Sequence, residues 1–103
     1  MPAPAEPLPQ GADLLPLALE AFEAGRVGEA ISLVSLFRDS HPAGSDEAWW
    51  LMGQFLEAAG PDRDVLGALG YYRRLVDEYP QSSRLSAARG RIAFIERFFL
   101  NIR

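Results

Sequence analysis

Residues 46–60 read DEAWWLMGQFLEAAG, with a serine before them and a proline after them. Within this stretch Trp49, Met52 and Leu56 recur at the three- and four-residue spacing of one helix face. The preceding serine can cap such a helix, and the acidic residues that follow it suit the positive end of the helix dipole. Because a glycine and a proline then interrupt the pattern, a helix is predicted over residues 45–59.

Four further segments show the same periodicity, and glycine or proline separates each from the next. No segment alternates apolar and polar residues with the period of two that is typical of a half-buried strand. The predicted fold class is therefore all-α, with about five helices in antiparallel hairpins joined by short loops. The other helices are predicted at residues 13–24, with Asp13 as N-cap, and at 27–40, 64–78 and 82–103.

Residues 1–11, MPAPAEPLPQG, hold four of the eight prolines and predict a flexible, extended leader ahead of a helical domain at 12–103. The leader has neither the basic stretch nor the apolar stretch of a signal peptide, so none is expected. No apolar run approaches the roughly 18 residues that a membrane-spanning helix needs. We therefore expect no direct membrane span.

The composition argues against several kinds of chemistry. No cysteine is present, which removes disulfides, thiolate metal sites and cysteine nucleophiles. The single histidine, His41, lies beside Pro42 at a predicted helix end and has no second histidine with which to hold a metal or relay a proton. No glycine-rich phosphate loop follows a strand. The sequence thus predicts no enzyme activity, no cofactor and no metal site.

Charge is divided unevenly along the chain. Residues 1–60 carry nine acidic and two basic side chains, whereas residues 61–103 carry five acidic and eight basic ones. This division indicates a surface that meets a partner, or a second copy head to tail, and scattered solvated charge is the alternative. The overall net charge of −4 disfavours nucleic-acid binding, which needs a dominant positive field. A small nucleic-acid-binding regulator therefore ranks last among the functions considered.

Two predicted helix pairs each end in a proline, which indicates an internal repeat. In the first pair Gly25 lies at the turn, Glu29-Ala30-Ile31 opens the second helix and Pro42 closes the unit. In the second, Glu47 to Gly53 begins the first helix, and Gly60, Ala68, Tyr72 and Pro80 follow in order. Segments 11–42 and 46–80 resemble tetratricopeptide repeats of about 34 residues, with about three extra residues in the second turn. The C-terminal helix at 82–103 follows them.

This resemblance implies a packing arrangement. Small residues at Ala18, Gly53, Ala30 and Ala68 would let paired helices approach closely. The large side chains would fill the space between the pairs, and they are Phe37, Trp49 and Tyr72.

A narrower likeness covers residues 71–82, YYRRLVDEYPQS, followed by Ala87-Ala88-Arg89 and Arg91-Ile92. It is similar to repeats of bacterial envelope proteins such as the assembly lipoprotein of the Bam complex and the coordinator protein associated with Tol-Pal. The resemblance implies a periplasmic or membrane-tethered location, with the leader as tether. The lipobox cysteine of such proteins is absent, so a cytoplasmic location stays open.

The tetratricopeptide resemblance also implies a non-catalytic interaction module. In that family the first helix of each pair lines a groove that binds a partner peptide or helix. The groove implied here has an apolar wall, Trp50 at its centre and opposite charges at its ends, which favours an apolar or amphipathic partner. The alternative is that Trp50 and Phe22 are core between repeats. The implied groove residues are Leu15, Leu19, Phe22, Glu47, Trp50, Gln54, Glu57, Arg84, Ala87, Arg91 and Phe94.

The last helix carries more apolar surface than one neighbour can cover. Three arrangements of this helix are open. It folds over both repeats and buries both faces, it pairs with itself in a homodimer, or a further helix or a partner protein covers it. A structural subunit of an envelope assembly that uses only this surface is the alternative function. Its seam consists of Leu85, Ala88, Ile92, Ile95, Phe99 and Ile102, and the predicted association surface is Phe94, Phe98, Phe99 and Ile102.

Overall fold

A computed structural model describes residues 13–100, so the leader at 1–11, Ala12 and the last three residues lie outside the described part of the chain. The described residues form helices and turns, with no strand among them. The prediction of an all-α fold with five helices is confirmed. The helices are α1 (Leu14–Glu23), α2 (Val27–Ser40), α3 (Asp46–Glu57), α4 (Val65–Glu78) and α5 (Leu85–Phe98).

Helix ends follow local chemistry in most places. The Ser45 hydroxyl accepts a hydrogen bond from the Ala48 N–H at 3.0 Å, as the prediction of a cap requires. The Asp64 carboxylate accepts one from the Gly67 N–H at 2.9 Å and caps α4 in the same way. Asp13 behaves differently, because its backbone is already helical and its side chain makes no capping hydrogen bond. The prediction of Asp13 as N-cap is therefore wrong.

Helix α1 ends at a glycine, as predicted. Gly25 has φ +84°, a left-handed conformation that a side chain would disfavour. Its N–H donates to the Phe22 carbonyl at 2.9 Å, and the Arg26 N–H donates to the Ala21 carbonyl at 2.8 Å. These two bonds satisfy carbonyls that the last helical turn leaves without partners. The chain can then reverse directly into α2.

Helix α5 begins three residues later than its predicted start. The Ser82 hydroxyl accepts a hydrogen bond from the Arg84 N–H at 3.0 Å, and the Leu85 N–H donates to the Ser82 carbonyl at 3.1 Å. These bonds make residues 82–84 a turn, because the serine side chain competes with the helix for backbone groups. The predicted end of α5, at residue 103, lies outside the described residues.

The helices pack in chain order as neighbouring hairpins. Helix α1 packs on α2, α3 on α4, and α5 on α4, while α2 and α1 also contact α3. Helix α3 consequently lies in the middle and is the most buried of the five, with apolar side chains on opposite sides covered by the two neighbouring layers. None of the helices at residues 13–100 combines the length and the apolar character that crossing a membrane would need.

The small residues lie where close helix packing requires them. Ala18, Ala30 and Ala68 are fully buried. Gly53 lies so close to the ring of Tyr72 that a methyl group would overlap it. The packing predicted for these positions is therefore confirmed, and it brings α3 and α4 into direct contact.

The three large rings that were predicted to fill the space between the pairs are buried in the core. Trp49 and Tyr72 are fully buried, and Phe37 is nearly so. The indole N–H of Trp49 donates to the Glu78 carboxylate at 3.3 Å, which satisfies its one polar group. The Arg74 guanidinium lies over the same indole, 4.1 Å from the ring centroid. These contacts join α3 to α4 within the second helix pair.

Candidate functional site

A groove runs across one face of the array, where α1, α3 and α5 lie side by side. It has a volume of about 390 Å³. Most of its lining belongs to the groove predicted from the sequence, and Ala58 is the one addition. The lining residues are Phe22, Trp50, Gln54, Glu57, Ala58 and Arg91.

Trp50 forms the centre of the groove and is half-buried. Its ring packs on Tyr72 with the centroids 5.6 Å apart, and the Arg84 guanidinium lies 5.4 Å from its centroid. Phe22 likewise stacks on the buried Phe55 at 4.7 Å. Both residues therefore belong to the edge of the core and also line the groove. The two interpretations of these residues as core or as groove are compatible, because each ring has one covered and one open side.

The charged residues predicted at the groove ends pair with each other across the α3–α5 contact. Arg84 Nε lies 3.3 Å from a Glu47 carboxylate oxygen. Arg91 Nε donates to Glu57 Oε1 at 2.9 Å, and a second hydrogen bond joins the same two side chains. The predicted opposite charges are therefore largely neutralised within the molecule. Sequence spacing could not show this, because the partners are 37 and 34 residues apart.

Hydrogen-bonded polar side chains lie beneath the groove. Gln54 Nε2 donates to the Tyr72 hydroxyl at 2.7 Å, and Arg91 donates to Glu57. Burial raises the pKa of Tyr72, and the carboxylate of Glu57 adds to that effect. Burial opposes ionisation of Glu57, yet the interaction with Arg91 holds the pKa of Glu57 below its ordinary value. Among the described residues, the buried polar side-chain atoms all have hydrogen-bond partners.

The remaining groove residues extend this surface along α1 and α5. Leu15 and Leu19 precede Phe22 by seven and three residues, which places them on the same side of α1. Leu15 is partly buried against the core, whereas Leu19 is exposed. On α5, Ala87 and Phe94 are both exposed.

The predicted association surface forms an aromatic cluster at the end of α5. Phe94, Phe98 and Phe99 are 39, 63 and 45% exposed. The Phe94 centroid lies 4.8 Å from that of Phe98 and 6.1 Å from that of Phe99. Ile102, the fourth residue of this prediction, lies outside the described residues. The structure therefore places three large apolar rings together in solvent.

Three arginines lie over these rings. Two of them, Arg63 and Arg97, were not among the site residues predicted from the sequence. The Arg91 guanidinium lies 4.4 Å from the Phe94 centroid, that of Arg97 lies 5.3 Å from the Phe98 centroid, and that of Arg63 lies 5.0 Å from the Phe99 centroid. Such spacings are typical of cation–π contacts. Arg97 is adjacent to Phe98 in sequence, which is a weak signal, whereas nothing in the sequence connects Arg63 to Phe99.

Helix α5 buries one stripe and leaves another open. Ala88 and Ile95 are fully buried and Ile92 packs against the core, so the helix attaches through this part of the predicted seam, whereas Phe99 of the same seam is exposed. The neighbouring face, with Phe94 and Phe98, stays exposed. The arrangement in which α5 buries both faces is therefore wrong for the described residues, because its neighbours lie on one side of it only.

His41 has structural neighbours. Its ring stacks on Phe37 with the centroids 4.6 Å apart, and its Nδ1 lies 3.0 Å from the Ser40 hydroxyl. Across residues 13–100, no group of three or more histidine, aspartate and glutamate side chains is arranged to hold a metal ion.

The chain matches no known family model and no solved structure. It is similar to an uncharacterised protein of Treponema pallidum, with 33% identity over 92 residues that make up 87% of this chain and 18% of that protein. It is also similar to an uncharacterised protein of Borreliella burgdorferi, with 38% identity over 55 residues, 53% of this chain and 16% of that protein. The chain thus spans less than a fifth of the length of each of these two relatives.

Proposed function

We propose that this domain is a non-catalytic protein-interaction module of tetratricopeptide type, which binds an apolar or amphipathic segment of a partner protein in the groove around Trp50. The observation that carries the proposal is the half-buried Trp50 ring at the floor of an open groove formed by three helices. Clefts lined by aromatic side chains with a few ordered polar groups are common binding sites.

The electrostatics of the groove favour an apolar anchor. Glu47 pairs with Arg84, in the turn before α5, and Glu57 pairs with Arg91 of α5, so the floor offers little free charge to a partner. A charged partner group would lose its water there without gaining an unpaired counter-charge. The open sides of Phe22 and Trp50, in contrast, gain about 25 cal/mol for each Å² of apolar surface that a partner covers. An amphipathic helix or an extended apolar segment meets these conditions.

The assignment to the tetratricopeptide type is supported by packing. Neighbouring helix hairpins follow one another in chain order, and small residues lie at the close contacts within each hairpin. The concave surface that stacked helix pairs create is the usual binding face of such arrays. Residence in a bacterial envelope is supported only by the sequence resemblance of residues 71–92.

A selection from a library of short random peptides tests the groove. The full chain is the bait, and each selected peptide is then measured against wild type, Trp50→Ala and Leu19→Ser. We expect apolar or amphipathic peptides whose Kd rises at least about tenfold in both variants. Leu19 is exposed, so its replacement leaves folding intact even if the change at Trp50 does not.

The matched control is Leu66→Ala, because Leu66 is an exposed leucine on α4, which is not one of the groove helices. Peptides that bind all four proteins equally would overturn the proposal. So would selection of strongly charged peptides without apolar residues.

The second candidate is a structural subunit that uses only the α5 surface and leaves the groove unused. It is favoured by the exposure of Phe94, Phe98 and Phe99. Under this function Phe98→Asp would abolish incorporation into the assembly, whereas Trp50→Ala would not. Under the proposed function the effects of the two substitutions are reversed.

A further inference from the structure

We propose that this chain associates with a second copy of itself head to tail, through a contact between the free face of α1 and α2 and the exposed end of α5. The inference does not depend on the groove. It rests on two uncovered surfaces at opposite ends of the helix array, which match each other in apolar character and are opposite in charge.

The first surface, which we call the aromatic–arginine patch, consists of Phe94, Phe98, Phe99, Arg63 and Arg97. Its rings are exposed, and a contiguous apolar cluster of this kind commonly marks an interface. Neither Arg63 nor Arg97 forms an ion pair within residues 13–100. A guanidinium stacked on a ring keeps its N–H groups at the edge, where they can bind a carboxylate. The patch therefore suits an apolar surface that carries acidic groups.

The second surface follows from the repeat. Ala18 of α1 and Gly53 of α3 hold equivalent positions, so Leu17 corresponds to Met52 and Glu20 to Phe55. Phe55 is buried against the preceding helix pair, since it stacks on Phe22. No helix pair precedes α1 within the described residues. Leu17 and Glu20 are accordingly exposed at positions that the repeat uses for packing against a neighbour.

Helix α2 adds a further leucine to this surface. Arg38 faces α4, because its guanidinium hydrogen-bonds to the Tyr71 hydroxyl. Leu36 precedes Arg38 by two residues, about 200° around the helix, and so points away from α4. It is 44% exposed. Asp13, Leu17 and Glu20 lie on one side of α1 by their spacing, and we group them with the exposed Leu36 as the acidic–leucine face.

The two surfaces are complementary. Leucines would meet phenylalanines, and Asp13 and Glu20, which form no ion pair among the described residues, would meet Arg63 and Arg97. The contact would bring two acidic side chains of residues 1–60, where acidic residues are in excess, against two arginines of residues 61–103, where basic residues are in excess. Because one chain carries both surfaces, a second copy supplies the matching partner in equal amount.

Charge also decides between two kinds of self-association. A twofold dimer built on α5 would bring the aromatic–arginine patches of two copies together, so that Arg63 and Arg97 of one copy would face the same arginines of the other. Like charges at an interface oppose such a contact. A head-to-tail contact joins opposite charges instead, and it leaves one surface of each kind free at the ends. The assembly should therefore grow with concentration rather than stop at a dimer.

Sedimentation velocity of the full chain over a concentration series, in low and in high salt, provides the test. The variants are Glu20→Arg and Arg97→Glu, each of which reverses one charge on one surface. Their matched controls are Asp77→Arg and Arg89→Glu, which reverse an exposed charge outside both surfaces. We expect the average mass of wild type and controls to rise with concentration and to fall in high salt. Each test variant should need at least about tenfold higher concentration to associate.

Mixing the two test variants gives the sharpest result. In a solution of one variant alone, two side chains of the same charge meet at positions 20 and 97 of adjoining copies. In an equimolar mixture, every contact between unlike copies again joins a positive side chain to a negative one. We expect the mixture to associate as wild type does. Wild type that stays monomeric up to about 1 mM would overturn the proposal. Association that neither variant weakens, or that the mixture does not restore, would overturn it as well.

Discussion

Gly53 of α3 lies directly against the ring of Tyr72 on α4, with no space between them for even a methyl group. The ring is fully buried, and its hydroxyl is held by Gln54 at 2.7 Å, so it cannot move aside without breaking a hydrogen bond. This contact sets the distance between the two helices of the second pair. It also positions Tyr72 beneath the groove, where its ring supports Trp50.

Replacement of Gly53 by alanine should destabilise the domain. Alanine normally improves a helix by up to about 1 kcal/mol over glycine. Here the added methyl group must displace the Tyr72 ring, and overpacking of this kind costs about 1–3 kcal/mol. Urea denaturation of Gly53→Ala and of Gly90→Ala measures the difference. A methyl group on Gly90 meets nothing within 4 Å, so that control should be more stable than wild type. Equal gains in both variants would contradict the packing described.

The two residues predicted to cap helices should differ when mutated. Ser45→Ala removes the hydrogen bond to the Ala48 N–H and should cost about 1 kcal/mol of unfolding free energy. Asp13→Ala should change it by less than about 0.5 kcal/mol, since the Asp13 side chain makes no capping bond. Thermal melts of both variants provide the measurement. A larger loss at Asp13 than at Ser45 would show that the start of α1 is held differently.

The pair Glu57–Arg91 should contribute a pH-dependent part of the stability. The pKa of Glu57 is lowered in the folded state, so the folded protein holds this proton less tightly than the unfolded chain does. Its contribution is then fully present above the ordinary value of 4.5 and is lost as the pH falls through the lower folded-state pKa.

Urea denaturation from neutral to acidic pH, with wild type and Glu57→Gln, tests this. The stability difference should be constant near neutrality and shrink below about pH 4.5. Glu23→Gln is the control, because Glu23 is exposed and forms no ion pair among residues 13–100. A difference for Glu57→Gln that does not change with pH would contradict the prediction.

Two apolar positions of α5, one buried and one exposed, should differ greatly in how much their replacement destabilises the domain. Ile95 is fully buried, so Ile95→Ala should cost about 2–5 kcal/mol of unfolding free energy. Phe98 is 63% exposed, and Phe98→Ser should change it by less than about 0.5 kcal/mol. Denaturation at low protein concentration separates this effect from self-association. A large loss for Phe98→Ser would mean that this ring is part of the core rather than of a contact surface.

Much of the fold was predictable because its determinants are local. The spacing of apolar residues gives the helical segments, and Val27–Ser40 matches its prediction at both ends. The cap at Ser45 and the glycine stop at Gly25 act within a few residues of their own positions. The turn before α5 was missed because a serine side chain, rather than a break in apolar spacing, holds it.

The groove was predictable as a set of residues but not as an electrostatic surface. The tetratricopeptide resemblance implied that Phe22, Trp50 and Gln54 line one groove, and the structure brings these three residues together. The neutralisation of Glu47 and Glu57 depends on the register between α3 and α5, which no local pattern encodes.

The sequence by itself determined the helical segments, most of their ends and the small residues at their contacts, because hydrogen bonding and apolar periodicity act over a few residues. The tertiary structure decided which charges are paired and which surfaces stay open. Arg91 meets Glu57, whereas Arg97 lies over Phe98 without a carboxylate among the described residues. That outcome follows from how α5 is rotated against α3 and α4, since a helix with one layer of neighbours can bury only one of its apolar faces.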